Sequence, residues 1–495
     1  MSNEVRNYCA GNWSDALSGR RFETRNPADT RETVASISLS GREDIDLAVS
    51  AARDAFRAWR FMPAPKRGEI LFRAAGLLLR RKEELGRLVT REMGKVLSEG
   101  LGDVQEAIDM AFYMAGEGRR LSGETVPSEL PDKDCKSVRE PYGVVALITP
   151  WNFPTAIPAW KLFPALICGN TVVLKPSSTT PACAAALVEV LEEAGVPPGV
   201  VNLVHGPGGE VGEYLSTHPD VDAVSFTGSC AAGERLQSLL AGLHRPFAAE
   251  MGGKNAILIM NDADLDLALE GVLWGAFGTS GQRCTAAGRV IVHDTIHDRF
   301  LERLVNAANR LRLGPGLSPD TDVGPVVNEQ QMNRVLDYIR IGQEEGAKLI
   351  AGGGRSMDGS CAHGYFIRPT IFAEVEPAMR IAREEIFGPV VAVLRCSGID
   401  EAVSMANGVP FGLSSAIYCR DVNTTARAER DLQSGLVYVN ASTIGAEIQL
   451  PFGGWKHSGS GHPEAGGRGG ALDFYSRMKV IYRDFSGRLQ KAQID

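Results

Sequence analysis

The sequence predicts an α/β protein: a doubly wound, mostly parallel sheet followed by a second α/β unit. Three observations predict it. Short β-branched runs alternate with helical stretches from Gly143 onward, a second alternating series begins near Lys254, and the region ahead of both reads as helix alone. With 44% hydrophobic and 23% charged residues among 495, the chain can bury a large core, so disorder is not the default.

After a polar start, residues 45–120 carry Ala, Leu, Arg and Glu at helical spacing, as in EDIDLAVSAARDAFRAWR and EILFRAAGLLLRRKEELGRLVTREM. Such amphipathic helices need a later partner for their apolar faces. The partner begins with GVVALITP, TVVLKPS, VVNLVHG and AVSFTGS, starting at residues 143, 171, 200 and 223. Strands so spaced, with helix-like segments between, predict right-handed parallel crossovers over about 143–250. NAILIM, RVIVHD, AKLIAGG, FIRPTIF, VVAVLRC, SSAIYCR and GLVYVN build the second unit. The tail, 470–495, holds DFYSRMKVIYRDF, a strand that needs a distant partner in this chain or in another subunit.

Several classes are excluded. The net charge of -8 contains no block of like charges, which argues against a nucleic-acid partner. Nine cysteines with no C-x-x-C pair fit neither a disulfide framework nor a zinc knuckle, and point to a reducing cytoplasm. The opening MSNEVRNYCAGNWSD lacks an apolar core, and no apolar run approaches the roughly 18 residues of a membrane span, so neither leader nor anchor is expected. His293 and His297 are spaced as a helical metal pair but find no third ligand, and no metal is expected.

The nucleotide signals sit at strand ends. HGPGGEVGEYL offers Gly206, Gly208, Gly209 and Gly212 where backbone can approach a phosphate, or merely a glycine-rich turn into a helix. Thr227, Gly228 and Ser229 end the next strand, with Ser229 either facing an anion or capping a helix. Lys175 closes TVVLK at its carboxyl end, the side where open α/β sheets hold ligands. Cys284, in SGQRCTAAG, is a nucleophile or a small buried residue. Glu250, 34 residues earlier, and Asn152 in TPWNFP also follow strand ends.

Together these motifs resemble the aldehyde dehydrogenase superfamily over nearly the whole chain. The resemblance runs through PWNFP and AWK (150–161), VVLKPS, FTGS with Gly233, E-x-G-G-K (250–254), GQRC (281–284), EEIFGPV (384–390) and PFGGWKHSGSG (451–461). It implies a Rossmann-type cofactor domain from 1–121 and 142–252, an α/β catalytic domain at 253–460, and a β oligomerisation segment from 122–141 and 470–495. It also implies a homodimer or homotetramer.

The chemistry it implies explains the residue types. An aldehyde has no leaving group except hydride, so Cys284 must first make the carbonyl carbon tetrahedral, as a thiolate nucleophilic at neutral pH. The Asn152 amide and the Cys284 backbone N–H would stabilise the oxyanion. Hydride transfer to nicotinamide leaves a thioester, which water cleaves with Glu250 as general base, Lys161 and Glu464 assisting the proton relay.

For the cofactor, NAD or NADP, the resemblance implies Ile148, Thr149, Pro150, Trp151, Lys175, Ser177, Ser178, Gly208, Gly212, Phe226, Thr227, Gly228, Ser229, Glu385 and Phe387. Ser178 stands where NAD-preferring relatives often carry a glutamate, which would repel a 2'-phosphate, so NADP is acceptable. The expected partner is a small aldehyde, bound by Phe153, Trp160, Arg283, Thr285 and Phe452.

Arg283 is a candidate for pairing a substrate carboxylate, or an arginine turned to a neighbouring loop. Ser442, Thr443, Glu447 and Gln449, ahead of PFGG, suggest a polar pocket. That loop and the ending YRDFSGRLQKAQID resemble members acting on semialdehydes such as 2-oxoglutarate semialdehyde. The alternatives are neutral aliphatic or aromatic aldehydes entering an apolar mouth of Phe153, Trp160 and Phe452, a CoA-acylating enzyme, which the presence of Glu250 disfavours, and an inactive binding or structural protein, which intact Cys284, Glu250 and Asn152 disfavour.

Overall fold

A computed structural model describes residues 4–491 and 493; Met1–Asn3, Ala492, Ile494 and Asp495, which fall in the segments expected at the two chain ends, lie outside the described residues. The doubly wound sheet runs, edge to edge, Gly459–Ser460, Phe247–Glu250, Ala223–Thr227, Val144–Ile148, Thr171–Lys175, Val201–Leu203, Asn7–Cys9 and Asn12–Ser14. Its five central strands are mutually parallel. Every residue of Val144–Ile148 and Thr171–Lys175 is buried, as expected of strands covered on both faces.

Alternation along the strands sorts that sheet into two cores. Val145, Leu147, Val172 and Leu174 pack against the helices Ala64–Arg80, Leu97–Glu117 and Ala156–Cys168, while Val144, Ala146 and Val173 pack against Ile45, Ala48, Val49 and Ala52 of the helix Arg42–Phe61. The helices read from 45–120 therefore cover both faces.

The second sheet has the order Lys348–Ala351, Thr370–Ala373, Val390–Cys396, Ala287–His293, Asn255–Ile259, Ser414–Tyr418 and Leu436–Val439, parallel except at its first pair. It too divides its side chains, with Leu258 and Ile291 on one face and Ile257, Val290 and Val292 on the other.

A third sheet resolves the two partners left open for the tail. Ser476–Asp484 pairs antiparallel with Lys133–Pro141 of the same chain, from Ser476↔Pro141 to Asp484↔Lys133, and Thr125–Pro127 flanks it. The polar start also holds strands that periodicity does not reveal, including the irregular pair Arg21–Asn26 and Asp29–Ser38. Sequences such as DTRETVASIS carry too little alternation to announce a strand. Among the described residues, no helix is long and apolar enough to cross a membrane.

Chain order reverses between Val144–Ile148 and Ala223–Thr227, since the next strands after the first of these run to one side and those after Ala223–Thr227 run to the other. A crevice opens at such a switch point, beyond the carboxyl ends of the strands. Asn152, Thr227 and Glu250 all follow or occupy those ends.

Candidate active site

A cleft of about 330 Å³ lies there, lined by Pro150, Trp151, Asn152, Thr227, Gly228, Ser229, Cys284, Glu385 and Phe387. Nine residues read as site residues thus meet in one place, although they come from four distant stretches of chain.

Cys284 is presented by an unusual backbone. Thr279, Ser280 and Gly281 have φ of 52°, 55° and 69°, and at Gly281 a Cβ would fall 2.1 Å from the Gly388 carbonyl. Holding two non-glycine residues left-handed costs on the order of 1–3 kcal/mol each, so the surroundings must over-determine this turn. They do: Asn152 Nδ2 donates to the Gln282 carbonyl at 3.1 Å, and Asn255 Nδ2 donates to the carbonyls of Cys284 at 2.7 Å and Ala286 at 2.8 Å. Sequence reasoning misses Asn255, whose only signal is its place directly after E-x-G-G-K.

One expectation is corrected. Burial pushes the Cys284 thiol up to about 12, with the carboxylates of Glu385, Glu250 and Glu464 adding to the rise. The resting residue is therefore a thiol at neutral pH rather than the expected thiolate, because desolvation and negative neighbours both oppose its ionisation.

Glu250 ends the strand Phe247–Glu250, is 4% exposed, and accepts the Gly454 N–H at 3.0 Å. Burial, then the nearby Glu464, raises its carboxyl well above the usual range, while Gly454 and Lys161 oppose. Lys161, fully buried, donates to Ser225 Oγ at 2.7 Å and to Glu464 Oε1. Glu464 also accepts from Thr227 Oγ1, so that hydroxyl is turned to the carboxylate cluster. Phe452 and Glu464 exchange two backbone hydrogen bonds of 2.7 Å, which hold the glycine-rich stretch around Glu464 in the site.

On the other side of the switch point, Lys175 is 3% exposed and burial lowers its ammonium to about 8. Its stem passes Gly212, whose Cβ would lie 3.8 Å from Lys175 Cδ, and Gly208–Gly212 opens a helical turn. Ser178 Oγ donates to the Gly206 carbonyl at 2.7 Å, Ser177 Oγ accepts the Thr179 N–H at 3.2 Å, and Thr149 N–H donates to the Lys175 carbonyl at 3.2 Å. Ser229 caps the helix Cys230–Leu240 through Ala232 N–H at 3.4 Å. Ile148 and Phe226 lie in a buried cluster with Met251.

Glu385 Oε1 accepts the Gly253 N–H at 3.0 Å. Phe387 meets Trp151 edge-on at 5.2 Å and is itself left-handed, with φ of 61°. Gln331 and Arg334, on the helix Glu329–Glu344, tie down the Phe387 and Glu385 carbonyls at 2.7 Å each. Neither is read as a site residue from sequence, since a polar helical face reads as solvated surface.

Around the aldehyde side, Trp160 and Phe452 stack edge-on at 5.3 Å and both are buried, as is Thr285. Arg283 packs its guanidinium 5.1 Å from the Phe153 ring and 5.9 Å from the half-exposed Trp274, donates to Thr279 Oγ1 at 2.9 Å, and pairs with Glu99 at 3.3 Å. The polar lining expected from the 442–449 loop is corrected in part: Ser442 donates to the Gly271 carbonyl and Thr443 is fully buried, so both serve the fold, while Glu447 and Gln449 are exposed.

Beneath this wall, Asp103 accepts from Lys95 at 3.1 Å and from the Thr155 and Ala156 N–H groups at 3.2 and 2.7 Å, capping the helix that follows Asn152. Both partners of the ion pair are fully buried. Asp103→Ala is expected to lower unfolding free energy by about 3–5 kcal/mol, because it strands a buried ammonium. It should also lower kcat by loosening Asn152; urea unfolding and initial rates check both.

A half-buried thiol, two neighbouring carboxylates and an ammonium meet at the switch point of a doubly wound sheet, an arrangement suited to covalent chemistry on sulfur. Residues 13–481 match the aldehyde dehydrogenase family. The chain is 41% identical over 480 residues to the alpha-ketoglutaric semialdehyde dehydrogenase of Bacillus subtilis (strain 168), covering 97% of this chain and 98% of that protein. It is 43% identical over 485 residues to the alpha-ketoglutarate semialdehyde dehydrogenase of Haloferax volcanii, covering 98% and 100%. Betaine aldehyde dehydrogenase from Staphylococcus aureus, solved in complex with NAD+, superposes with a TM-score of 0.95 at 35% identity, covering 99% of this chain and 97% of that one. The chain belongs to the aldehyde dehydrogenase family, and it is an NAD(P)-dependent aldehyde dehydrogenase.

Proposed function

We propose that this enzyme oxidises 2-oxoglutarate semialdehyde to the dicarboxylate through a thioester on Cys284. Two relatives that it matches end to end carry that substrate in their names. The observation that carries the reading is Arg283, a guanidinium held between Phe153 and Trp274 one residue from the nucleophile.

The residues present fit a nicotinamide dinucleotide. Lys175 is a buried cation that makes no hydrogen bond or ion pair among the described residues, and ribose hydroxyls would satisfy it. Ser229, Gly228, Trp151, Glu385 and Phe387 would hold the rest of the molecule along the cleft. When bound, the dinucleotide supplies the hydride acceptor. Ser178 brings no charge against a 2'-phosphate, so NADP is accepted as well as NAD.

In the reaction, Cys284 sulfur bonds to the aldehyde carbon as its proton is lost through the cleft to solvent. The Asn152 amide and the Cys284 N–H stabilise the resulting oxyanion, worth roughly 3–4 kcal/mol per donor. Loss of hydride gives the thioester. Glu250 then takes a proton from water as the water oxygen bonds to the acyl carbon, and the carbon–sulfur bond breaks with its electron pair on sulfur, which takes up the proton of the new carboxylic acid and returns as the thiol. Lys161 and Glu464 carry the spent proton away from Glu250.

Neutral aldehydes are the second reading, and one observation favours it: Glu99 already pairs with Arg283. Initial rates at 340 nm against acidic and neutral aldehydes, each with NAD and NADP, separate the two. Arg283→Leu should raise KM for the acidic semialdehyde by about tenfold or more, the worth of a charge-assisted hydrogen bond, and barely change it for neutral ones. Equal effects on both would sink the acidic assignment.

We assign the cofactor domain to 1–121 and 142–252, the catalytic domain to 253–460 and the oligomerisation segment to 122–141 and 470–495, and we infer a homodimer or homotetramer. Val126, Met478, Val480 and Tyr482 are exposed on the three-stranded sheet, an apolar face suited to a second copy. All nine cysteines are unpaired, which suits a cytoplasmic setting.

A further inference from the structure

The E-x-G-G-K motif ends on Lys254, which none of the roles above uses. Lys254 is 3% exposed, and among the described residues its ammonium makes no hydrogen bond or ion pair. Its stem lies over Gly288, where a Cβ would stand 3.2 Å from Cδ, Cε and Nζ. The side chain borders a cavity of about 20 Å³, also lined by Gly253, Arg283 and Glu385, with room for about one water.

Glu385 belongs to both spaces, since it lines this small cavity and the large cleft. Its carboxylate is pressed close to the backbone: a Cβ at Gly252 would fall 2.2 Å from Oε2, and Gly253 N–H donates to Oε1 at 3.0 Å. The residue thus borders the cavity on one side and the cleft on the other.

We propose that Lys254 is a positioning residue for dinucleotide binding: across the one-water cavity its ammonium keeps Glu385 ionised, so that Glu385 accepts the ribose hydroxyls as a carboxylate. This rests on Glu385 being a ribose contact, as proposed above. A charged acceptor forms the stronger hydrogen bonds.

The charges around the pair set the pH at which this matters. Burial, then Arg289, lowers Lys254 to about 7, against the pull of Glu385 and Glu384. Burial raises Glu385, against Gly253 N–H, Arg334 and Lys254. Arg283 lines the cavity without pairing there, its guanidinium being held by Glu99 and Thr279. The Cys230 and Cys284 thiols, both raised and therefore neutral, also face Glu385. Below about 7 Lys254 is a cation and holds the Glu385 carboxyl down; above it Lys254 is neutral and adds nothing.

Removing the cation should therefore weaken binding on the acid side only. The test is equilibrium titration of the purified enzyme with NAD, followed by tryptophan fluorescence, for wild type, Lys254→Met, Lys254→Gln, Glu385→Gln and the double variant Lys254→Met/Glu385→Gln. Near about pH 6, Lys254→Met should bind NAD measurably more weakly than wild type, because without the ammonium more of the Glu385 carboxyl is protonated there. Near about pH 8.5 the two should coincide, each being then an ionised Glu385 beside an uncharged neighbour. Lys254→Gln should behave as Lys254→Met, and the double variant as Glu385→Gln.

Weakening that is equal at both pH values, or that adds in full to Glu385→Gln, would mean Lys254 is only a packing residue and overturn the inference. Wild-type binding by Glu385→Gln would instead overturn the ribose contact, and the inference with it.

Discussion

Cys284→Ala abolishes aldehyde oxidation and leaves dinucleotide binding in place: that is the expected result, a fall in kcat of at least about four orders of magnitude, on the scale seen when a covalent nucleophile is removed. The loss is so large because no other group near the aldehyde carbon can make it tetrahedral and later be displaced by water. The neighbouring cysteine does not substitute. Cys230 begins the helix Cys230–Leu240, lies against the His457 carbonyl, and is itself pushed up to about 11 by burial and by Glu385. Fold is little affected, since Asn255 and Asn152 grip backbone carbonyls at this turn rather than the sulfur. Rates at 340 nm with a parallel NAD titration check both halves; measurable turnover in the variant would refute the covalent route.

The second large effect belongs to Glu250. Glu250→Gln should cut turnover by about 10²–10⁴, the usual contribution of a general base, while the first turnover still reduces one equivalent of cofactor. Rapid quenching should then trap an acyl group on Cys284, visible as an intact-mass increase that wild type does not accumulate. A variant that slows without a burst would move Glu250 from thioester hydrolysis to the first proton transfer.

The pH dependence follows from the same burial. A carboxyl whose folded-state pKa is raised is ionised only above that raised value, so the base is lost as pH falls through it. Cys284 is raised too, so both groups place the rising limb of the wild-type rate on the alkaline side, and Glu250→Gln should remove the part that belongs to hydrolysis.

Much of the fold is legible in the residues alone. The four strands starting at 143, 171, 200 and 223 carry continuous apolar runs because both faces are covered, and that pattern survives in the sequence. Cys284, Glu250 and Asn152 are legible because their motifs are contiguous. The hairpin Arg21–Asn26 and Asp29–Ser38 is not, since its residues are polar and its register irregular. Asn255, Gln331 and Arg334 are hidden for another reason: each acts on a backbone carbonyl far away in the chain, and such a bond leaves no periodicity or spacing behind.

What the sequence determined by itself is the layering, the strand ends that meet at the cleft, and the motifs whose family resemblance proposes a nucleophile and a base, because apolar period and local motifs are properties of neighbouring residues. What only the tertiary structure decided is the state of those groups. Cys284 is a thiol rather than a thiolate because folding buries it among Glu385, Glu250 and Glu464, three carboxylates from separate stretches of chain. Arg283 faces Glu99 across 184 residues of sequence, and Thr227 turns to Glu464 across 237. Charge interactions of this kind depend on distance and on exclusion of water, and neither quantity exists until the chain has folded.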